Sequence, residues 1–527
     1  MMQSKGRSSK WMEFLGVFVF FNLVVWGVLL GTGTLTSGYH MVDDHEILKW
    51  VYNMRYQDRS LGSLMAEIVK RDLYMRFRPL YYILRVFGAY LFGFDLTTFS
   101  VVNGIEIVLS MILLYYCGRN MGASKWSSGL FALTAMIGYQ SAVWWKLGPQ
   151  ESLGTMLFAL GFWLMLRWLN DQKKIWAAGS LLIFFLMCNY KESYMLLLPF
   201  IGLYIVYNSV KNDEKLPAFA EIMKRLKGKI WYIICLILFF AYTALAVVLL
   251  VGATQYDGFN IKESLSIRGY IEVFSRSLDG DLKWYKFFTP IFIGVLLTFW
   301  EDFKKMWKEI LLALAFLVPQ FALYAQTGIG ERYMLPCTVG YAWFFMAAVF
   351  QKKFLTGMRK AVYLAGIILL LLANARGMII EADYFRYRGE SVSGMLETLE
   401  KLSDENDIKI LSCFRPNEEA NRTVYYWMML HGHDNLYYWT EDDQVINRVC
   451  DSNNPHEVYG MEVFEEQEYA QMDVILMYNQ SDRHYCYEPS LNGDDFVKND
   501  IGSMTIWIRK GSVSIPDMPE IKKPIYG

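Results

Sequence analysis

The sequence predicts a polytopic α-helical membrane protein with a C-terminal extracytoplasmic α/β domain. Composition is the first reason. Hydrophobic residues make up 54% of the 527, aromatics 17% and charged residues only 20%, below the quarter or so usual in soluble domains. Mean hydropathy over the whole chain is +0.20. Distribution is the second: apolar runs of spanning length recur as far as Ile380 and then stop, and Asp, Glu and Asn run through the remainder. The same figures exclude other classes. The chain is too apolar for disorder, its 7 cysteines are too few for a secreted disulfide scaffold, and a net charge of −1 creates no field for nucleic acid.

Crossing about 30 Å of hydrocarbon takes roughly 17–25 apolar residues, fewer inside a packed bundle. Runs of this kind occupy residues 11–30, 98–118, 126–143, 153–168, 175–189, 194–207, 230–251, 287–300, 310–326, 334–350 and 361–380, which makes 11 candidate spans. The first is longer than the core of a signal peptide and is read as an uncleaved span. The chain therefore divides into a membrane domain at 1–380, with a first outer loop at 31–97, and a soluble domain at 381–527. Lys and Arg set the orientation. With Lys5, Arg7 and Lys10 in the cytoplasm, alternate loops carry Arg119 and Lys125, then Arg167, Lys173 and Lys174, then Lys211 to Lys229, then Lys304, Lys305 and Lys308, then Lys352, Lys353, Arg359 and Lys360. The opposite short loops hold only Lys146, Lys191 and Arg332. An odd number of spans places the C-terminal domain outside a multi-pass cell-membrane protein.

Two outer segments are long, 31–97 and 252–286, and long loops in compact proteins usually carry function. The first contains amphipathic stretches. Ile47, Trp50, Val51 and Met54 share one face of 45–57, and Leu61, Leu64, Met65 and Ile68 share one face of 61–70, as in helices lying along a membrane interface. Residues 79–94 are apolar but interrupted by Arg85 and Gly88, which suits a partly inserted helix.

The candidate chemistry begins just outside the first span, at Asp43-Asp44-His45-Glu46. Asp43 with Glu46 three residues on has capping-box spacing. Two adjacent carboxylates exceed what a cap requires, and at a membrane surface they suit a general base or oxygen ligands to a divalent metal. Arg76-Phe77-Arg78, Lys146 with Glu151, Lys191-Glu192 and Glu331-Arg332-Tyr333 stand at outer ends of other spans. Singly, such groups anchor headgroups or pair with a neighbouring carboxylate; together they form a cationic ring able to hold a phosphate.

These motifs together resemble the GT-C glycosyltransferases. Asp43-Asp44-His45 looks like their acidic outer-loop motif. Arg78-Pro79-Leu80-Tyr81-Tyr82 is similar to the Arg-Pro-Leu motif of transmembrane O-mannosyltransferases and bacterial relatives. Asn103 falls at a polar position of span two, and Lys191-Glu192 with Pro199 and Glu331-Arg332-Tyr333-Met334-Leu335-Pro336 resemble further segments of that group. The resemblance covers about 11–380. Glu106 stands where relatives often have His, and no TPR repeat follows. The resemblance implies a GT-C-like fold and an enzyme that moves a sugar from a polyprenyl-phosphate donor to a glycan, lipid or protein acceptor outside the cytoplasm. It implies Asp43 as base and Asp44 as its partner. Arg78, Lys146, Lys191, Glu192, Arg332 and Tyr333 are then expected to bind substrate and phosphate. It makes no cofactor certain and leaves a divalent metal open. A lipid-linked glycan flippase or transporter, and a non-catalytic scaffold of an envelope-glycan assembly, are the rival readings; clustering of polar groups at one membrane face favours surface chemistry over transport.

The remaining signals are weaker. His431 and His433 have metal-like spacing without a clear third ligand. Cys413, Cys450 and Cys486 permit one disulfide, and Asn421 and Asn479 fit the N-glycosylation pattern. Glu106 and Arg376 within spans are expected to face the bundle interior. In the outer domain, 408–414, 474–478 and 503–508 read as strands and 418–430 as a helix.

Overall fold

A computed structural model describes residues 2–251 apart from 41 and 214, 306–324, 331–350, 356–405 and most of 407–525, with isolated positions between 252 and 305. The expected span at 287–300 and the outer segment at 252–286 lie, but for single positions, outside the described residues.

Helix α1 (Met2–Gly31) leads to α2 (His45–Tyr56), α3 (Leu61–Asp72), α4 (Pro79–Phe92), α5 (Leu96–Asn120), α6 (Lys125–Met136), α7 (Glu151–Asp171) and α8 (Lys174–Tyr190). Then come α9 (Leu198–Val210), α10 (Phe219–Leu226), α11 (Ile230–Ala246), α12 (Trp307–Tyr324), α13 (Cys337–Phe350) and α14 (Gly357–Glu405). Among the described residues, 6 helical stretches are long and apolar enough to cross a membrane: Lys10–Gly31, Leu96–Asn120, Glu151–Asp171, Glu192–Val210, Ile230–Leu250 and Gly357–Asp404. Pro79–Phe92, Lys174–Tyr190 and Cys337–Ala347 are shorter apolar helices.

Local sequence explains the breaks. Ser60, Asp95 and Ser124 each accept a backbone N–H of the turn they open, satisfying otherwise orphaned donors. Pro79 begins α4, where its missing N–H costs nothing. In α7, 67% of the apolar window is buried, against 17% in α1 and α11, so α7 is central and the other two are peripheral. Small residues allow the close packing: a Cβ at Gly154 or Gly161 would lie 2.7 Å from the Tyr194 ring or 2.6 Å from the Phe184 ring. Asn103 of α5 donates to the carbonyls of Val143 and Trp144 at 2.7 and 2.8 Å, tying α5 to the turn that precedes α7.

Glu106, also on α5, accepts from Ser152 at 3.1 Å, as an interior group must. Arg376 differs from expectation: it is exposed, because its long side chain can leave the helix while its stem covers apolar surface.

Helix α14 runs unbroken through Ile380 and Glu381 for 49 residues, about 74 Å at 1.5 Å per residue. It hands the chain to a mixed sheet that, among the described residues, has 8 strands ordered β3-β4-β5-β2-β1-β6-β8-β7. The strands are β1 (Ile410–Ser412), β2 (Leu436–Tyr438), β3 (Cys450–Asp451), β4 (Asn454–Val458), β5 (Met461–Val463), β6 (Val474–Tyr478), β7 (Phe496–Ile501) and β8 (Met504–Arg509). Parallel neighbours β1 and β2 require a crossover, supplied by α15 (Glu419–Leu430). β6 pairs parallel to β1 with Ile410 opposite Val474, and antiparallel to β8. Asn421 is fully buried and donates to the Phe414 carbonyl at 3.2 Å, so it is no glycan acceptor in the folded chain. Cys413 is a free thiol, and the Cys486 sulfur accepts from the Tyr478 N–H.

Several contacts seat this domain on the segment between α1 and α4. The Tyr39 N–H donates to Ser393 Oγ of α14 at 3.2 Å, and Tyr52 of α2 packs against Tyr425 and Tyr426 of α15.

Candidate active site

The loop after α1, helices α2 and α3, the loops before α4, α7 and α13, and helix α15 enclose a cavity of about 560 Å³. Its lining includes 6 cationic side chains, Lys49, Arg71, Arg76, Arg78, Arg332 and Arg422, and 4 carboxylates, Asp43, Glu46, Asp72 and Glu151.

Asp43 is held in an unusual backbone conformation. Its φ is 59°, in the left-handed region where Asp and Asn are tolerated better than most non-glycine residues. Both flanking peptide groups are tied. The Asp43 N–H donates to Glu419 Oε2 at 2.8 Å, and the Asp43 carbonyl accepts from Arg85 Nη2 at 3.1 Å. Arg85 also donates to the Leu147 carbonyl and lies over the Trp50 and Tyr81 rings. Gly148 comes against this loop so closely that a Cβ there would lie 2.4 Å from the Val42 carbonyl oxygen and 2.5 Å from Asp43 Cβ. The capping-box reading does not hold: Asp44, not Asp43, is the N-cap of α2, and it makes no side-chain cap bond.

Asp44 is buried and accepts from the His40 N–H, so it faces the loop interior and not the cavity. Burial, and then the charge of Glu419, push its carboxyl up to about 6. Asp44, His45 and Glu419 have donor atoms within 4.8 Å of one another, and by type they suit a divalent cation. Their hydrogen bonds oppose it. Arg422 carries donors only, so its Nη1, 3.4 Å from His45 Nε2, meets that nitrogen as an acceptor. The ring proton then sits on Nδ1, 3.1 Å from Glu419 Oε2. As bonded, the trio does not offer three lone pairs to one ion.

Arg78 is anchored on Asp72, with Nε at 3.0 and 3.2 Å from the two carboxylate oxygens, and donates to the Tyr82 hydroxyl at 3.1 Å. Burial opposes its charge, but Tyr82 and Asp72 hold the guanidinium above its ordinary pKa. Arg332 donates to the Tyr333 hydroxyl at 3.2 Å; against burial, Tyr333 and Glu151 likewise hold it charged. Lys49 moves the other way. Burial, then Arg71 and Arg422, lower its ammonium to about 8.

Of the residues the sequence brought forward, Asp43, Arg78, Arg332 and Tyr333 meet at this cavity. Lys146 and Lys191 are outside its lining. Lys146 pairs with Glu331 and lies 4.7 Å from the centre of the Phe385 ring, and Lys191 pairs with Glu151. Glu192 is buried beside them, also outside the lining. Sequence reasoning missed Lys49 and Arg71, which lie on the polar faces of helices read for their apolar faces. It also missed Glu419, Arg422 and Tyr426. Their spacing of three and then four residues puts them on one face of α15, a signal that has no meaning until α15 is known to dock on the first outer loop.

The helical bundle, the two amphipathic helices between the first two long apolar helices, the cavity they line and the C-terminal α/β unit share their overall fold with solved membrane-protein structures. No protein-family profile and no curated protein sequence matches the chain. Among the solved structures it resembles is ArnT from Cupriavidus metallidurans. Bound to undecaprenyl phosphate, that protein shares 11% identity over 95% of this chain and 99% of its own, with a TM-score of 0.51. In the apo state it shares 11% identity over 97% and 100%, with a TM-score of 0.50.

Proposed function

We propose that this protein is a membrane glycosyltransferase that takes a sugar from a polyprenyl-phosphate carrier and passes it to an acceptor hydroxyl, with Asp43 as general base. The observation that carries the reading is the presence of Asp43, Arg78 and Arg332 in the lining of one cavity within a GT-C fold. The undecaprenyl phosphate bound to ArnT supports a polyprenyl phosphate as the lipid partner. The basic loops support a cytoplasmic N-terminus, with the cavity and the C-terminal domain on the opposite face.

In the reaction the acceptor oxygen attacks the anomeric carbon and its proton passes to the Asp43 carboxylate. The bond from the anomeric carbon to the phosphate oxygen breaks, and its electron pair leaves with the lipid phosphate. Arg78 and Arg332 face the charge that develops on that phosphate, where fixed cations in a partly dry site stabilise it most.

The test is transfer of labelled sugar from a polyprenyl-phosphate donor by the detergent-solubilised or liposome-embedded protein. Asp43→Asn retains the N–H that Glu419 accepts and a residue type that tolerates φ near 59°, so the fold should survive. The base is lost, and transfer should fall about 10²–10⁴-fold with donor binding close to wild type. Full activity in Asp43→Asn rejects the mechanism.

A further inference from the structure

We propose that the C-terminal domain takes part in catalysis through Glu419, a positioning residue that holds the Asp43 backbone in its left-handed conformation; this rests on Asp43 being the base. Glu419 is the first residue of α15 and 376 positions away from Asp43 in sequence, yet its Oε2 accepts the Asp43 N–H at 2.8 Å. The same oxygen meets His45 Nδ1 at 3.1 Å, and His45 Nε2 meets Arg422 at 3.4 Å. A continuous run of bonds therefore joins a cavity-lining cation on α15 to the peptide of the base on the first outer loop.

A non-glycine residue at φ 59° persists only where its surroundings over-determine it. Here the membrane domain supplies one constraint, Arg85 on the Asp43 carbonyl. The outer domain supplies the other, Glu419 on the N–H. With Glu419 gone, the first turn of the loop loses the acceptor that selects this conformation, and the carboxylate moves relative to the cations of the cavity. A displacement of about 1 Å at a reacting group costs on the order of 10²-fold in rate. The effect falls on orientation, so kcat should fall and the donor KM should not.

The experiment compares Glu419→Ala, Glu419→Gln and Glu419→Asp in the full-length protein, with Asp43→Asn alongside and thermal unfolding to confirm folding. The Gln carbonyl can accept both bonds; the Asp side chain is one methylene too short. The expected result is a fall in kcat of about 10–100-fold in the Ala and Asp variants at unchanged donor KM, recovery of most of kcat in Gln, and loss of transfer in Asp43→Asn. Wild-type kcat in a folded Glu419→Ala or Glu419→Asp protein, with Asp43→Asn inactive, overturns the positioning role alone. Glu419→Gln as damaged as Glu419→Ala overturns the acceptor argument in favour of a required charge or a metal ligand, which divalent-ion titration of the wild type then distinguishes. Full activity in Asp43→Asn overturns the base reading, and this inference with it.

Discussion

Lys191 and Glu151 form an ion pair buried on both sides, with side-chain exposures of 3% and 1%. Lys191 directly follows α8 and Glu151 opens α7, so the pair joins two helix ends at the cavity wall. Removing one partner strands a charge away from water, at a cost of about 3–5 kcal/mol, whereas replacing both by apolar groups is often nearly neutral. Lys191→Met should lower the unfolding temperature clearly in detergent, and Lys191→Met with Glu151→Met should recover much of it. A single variant that melts like wild type would show that the pair contributes nothing to stability.

Gly148→Ala should damage transfer while the protein still folds. The added methyl cannot fit against Val42 and Asp43 unless the loop carrying Asp43, the proposed base, moves. The Tyr81 hydroxyl, bonded to the Gly148 carbonyl at 2.7 Å, prevents the loop from simply backing away. We expect a loss of roughly 10²-fold in kcat; an undisturbed kcat would mean the loop yields at no cost to the reaction.

Asp44 makes stability depend on pH. Its folded carboxyl titrates at about 6, against an ordinary 3.8, so the folded chain holds this proton more tightly than the unfolded one. That advantage is complete below about pH 4 and is lost as pH rises through 6, a swing on the order of 3 kcal/mol. Asp44→Asn cannot ionise and keeps an oxygen for the His40 N–H. Denaturation from pH 4 to 7 should show wild type losing stability relative to Asp44→Asn; parallel curves would remove Asp44 as the cause.

Lys49 gives donor binding a basic limb. With its ammonium lowered to about 8 by burial and by Arg71 and Arg422, the cavity loses a positive charge between pH 7 and 9. Affinity for polyprenyl phosphate, measured by ligand-induced thermal shift, should weaken across that range in wild type. It should stay flatter in Lys49→Arg, whose guanidinium remains charged. Equal slopes in the two proteins would exclude Lys49.

Much of the architecture was legible because it is written in short-range pattern. Hydropathy runs marked α1, α5, α7, α11 and the first half of α14. The spacing of Ile47, Trp50, Val51 and Met54 marked α2, and the 474–478 run coincides with β6. The site was legible only where one segment carries its own chemistry, as at Asp43 and Arg332. That Lys146 and Lys191 are committed to Glu331 and Glu151 depends on which helix ends meet, and periodicity within a helix does not encode that. Glu419 was out of reach for the same reason. Its partner is set by the β1–α15–β2 crossover lying over the first outer loop, a relationship between distant segments with no local signature.

The length of α14 makes it a lever. Its 49 residues are continuous, and the stretch beyond Ile380 projects about 37 Å further at 1.5 Å per residue. A tilt of about 5° where the helix leaves the bilayer swings its far end through roughly 3 Å, the scale of a hydrogen bond, and transmembrane helices change tilt when hydrocarbon thickness changes. A shift of that size would part Glu419 from Asp43, so transfer rates in bilayers of different acyl length test how firmly the C-terminal domain is seated.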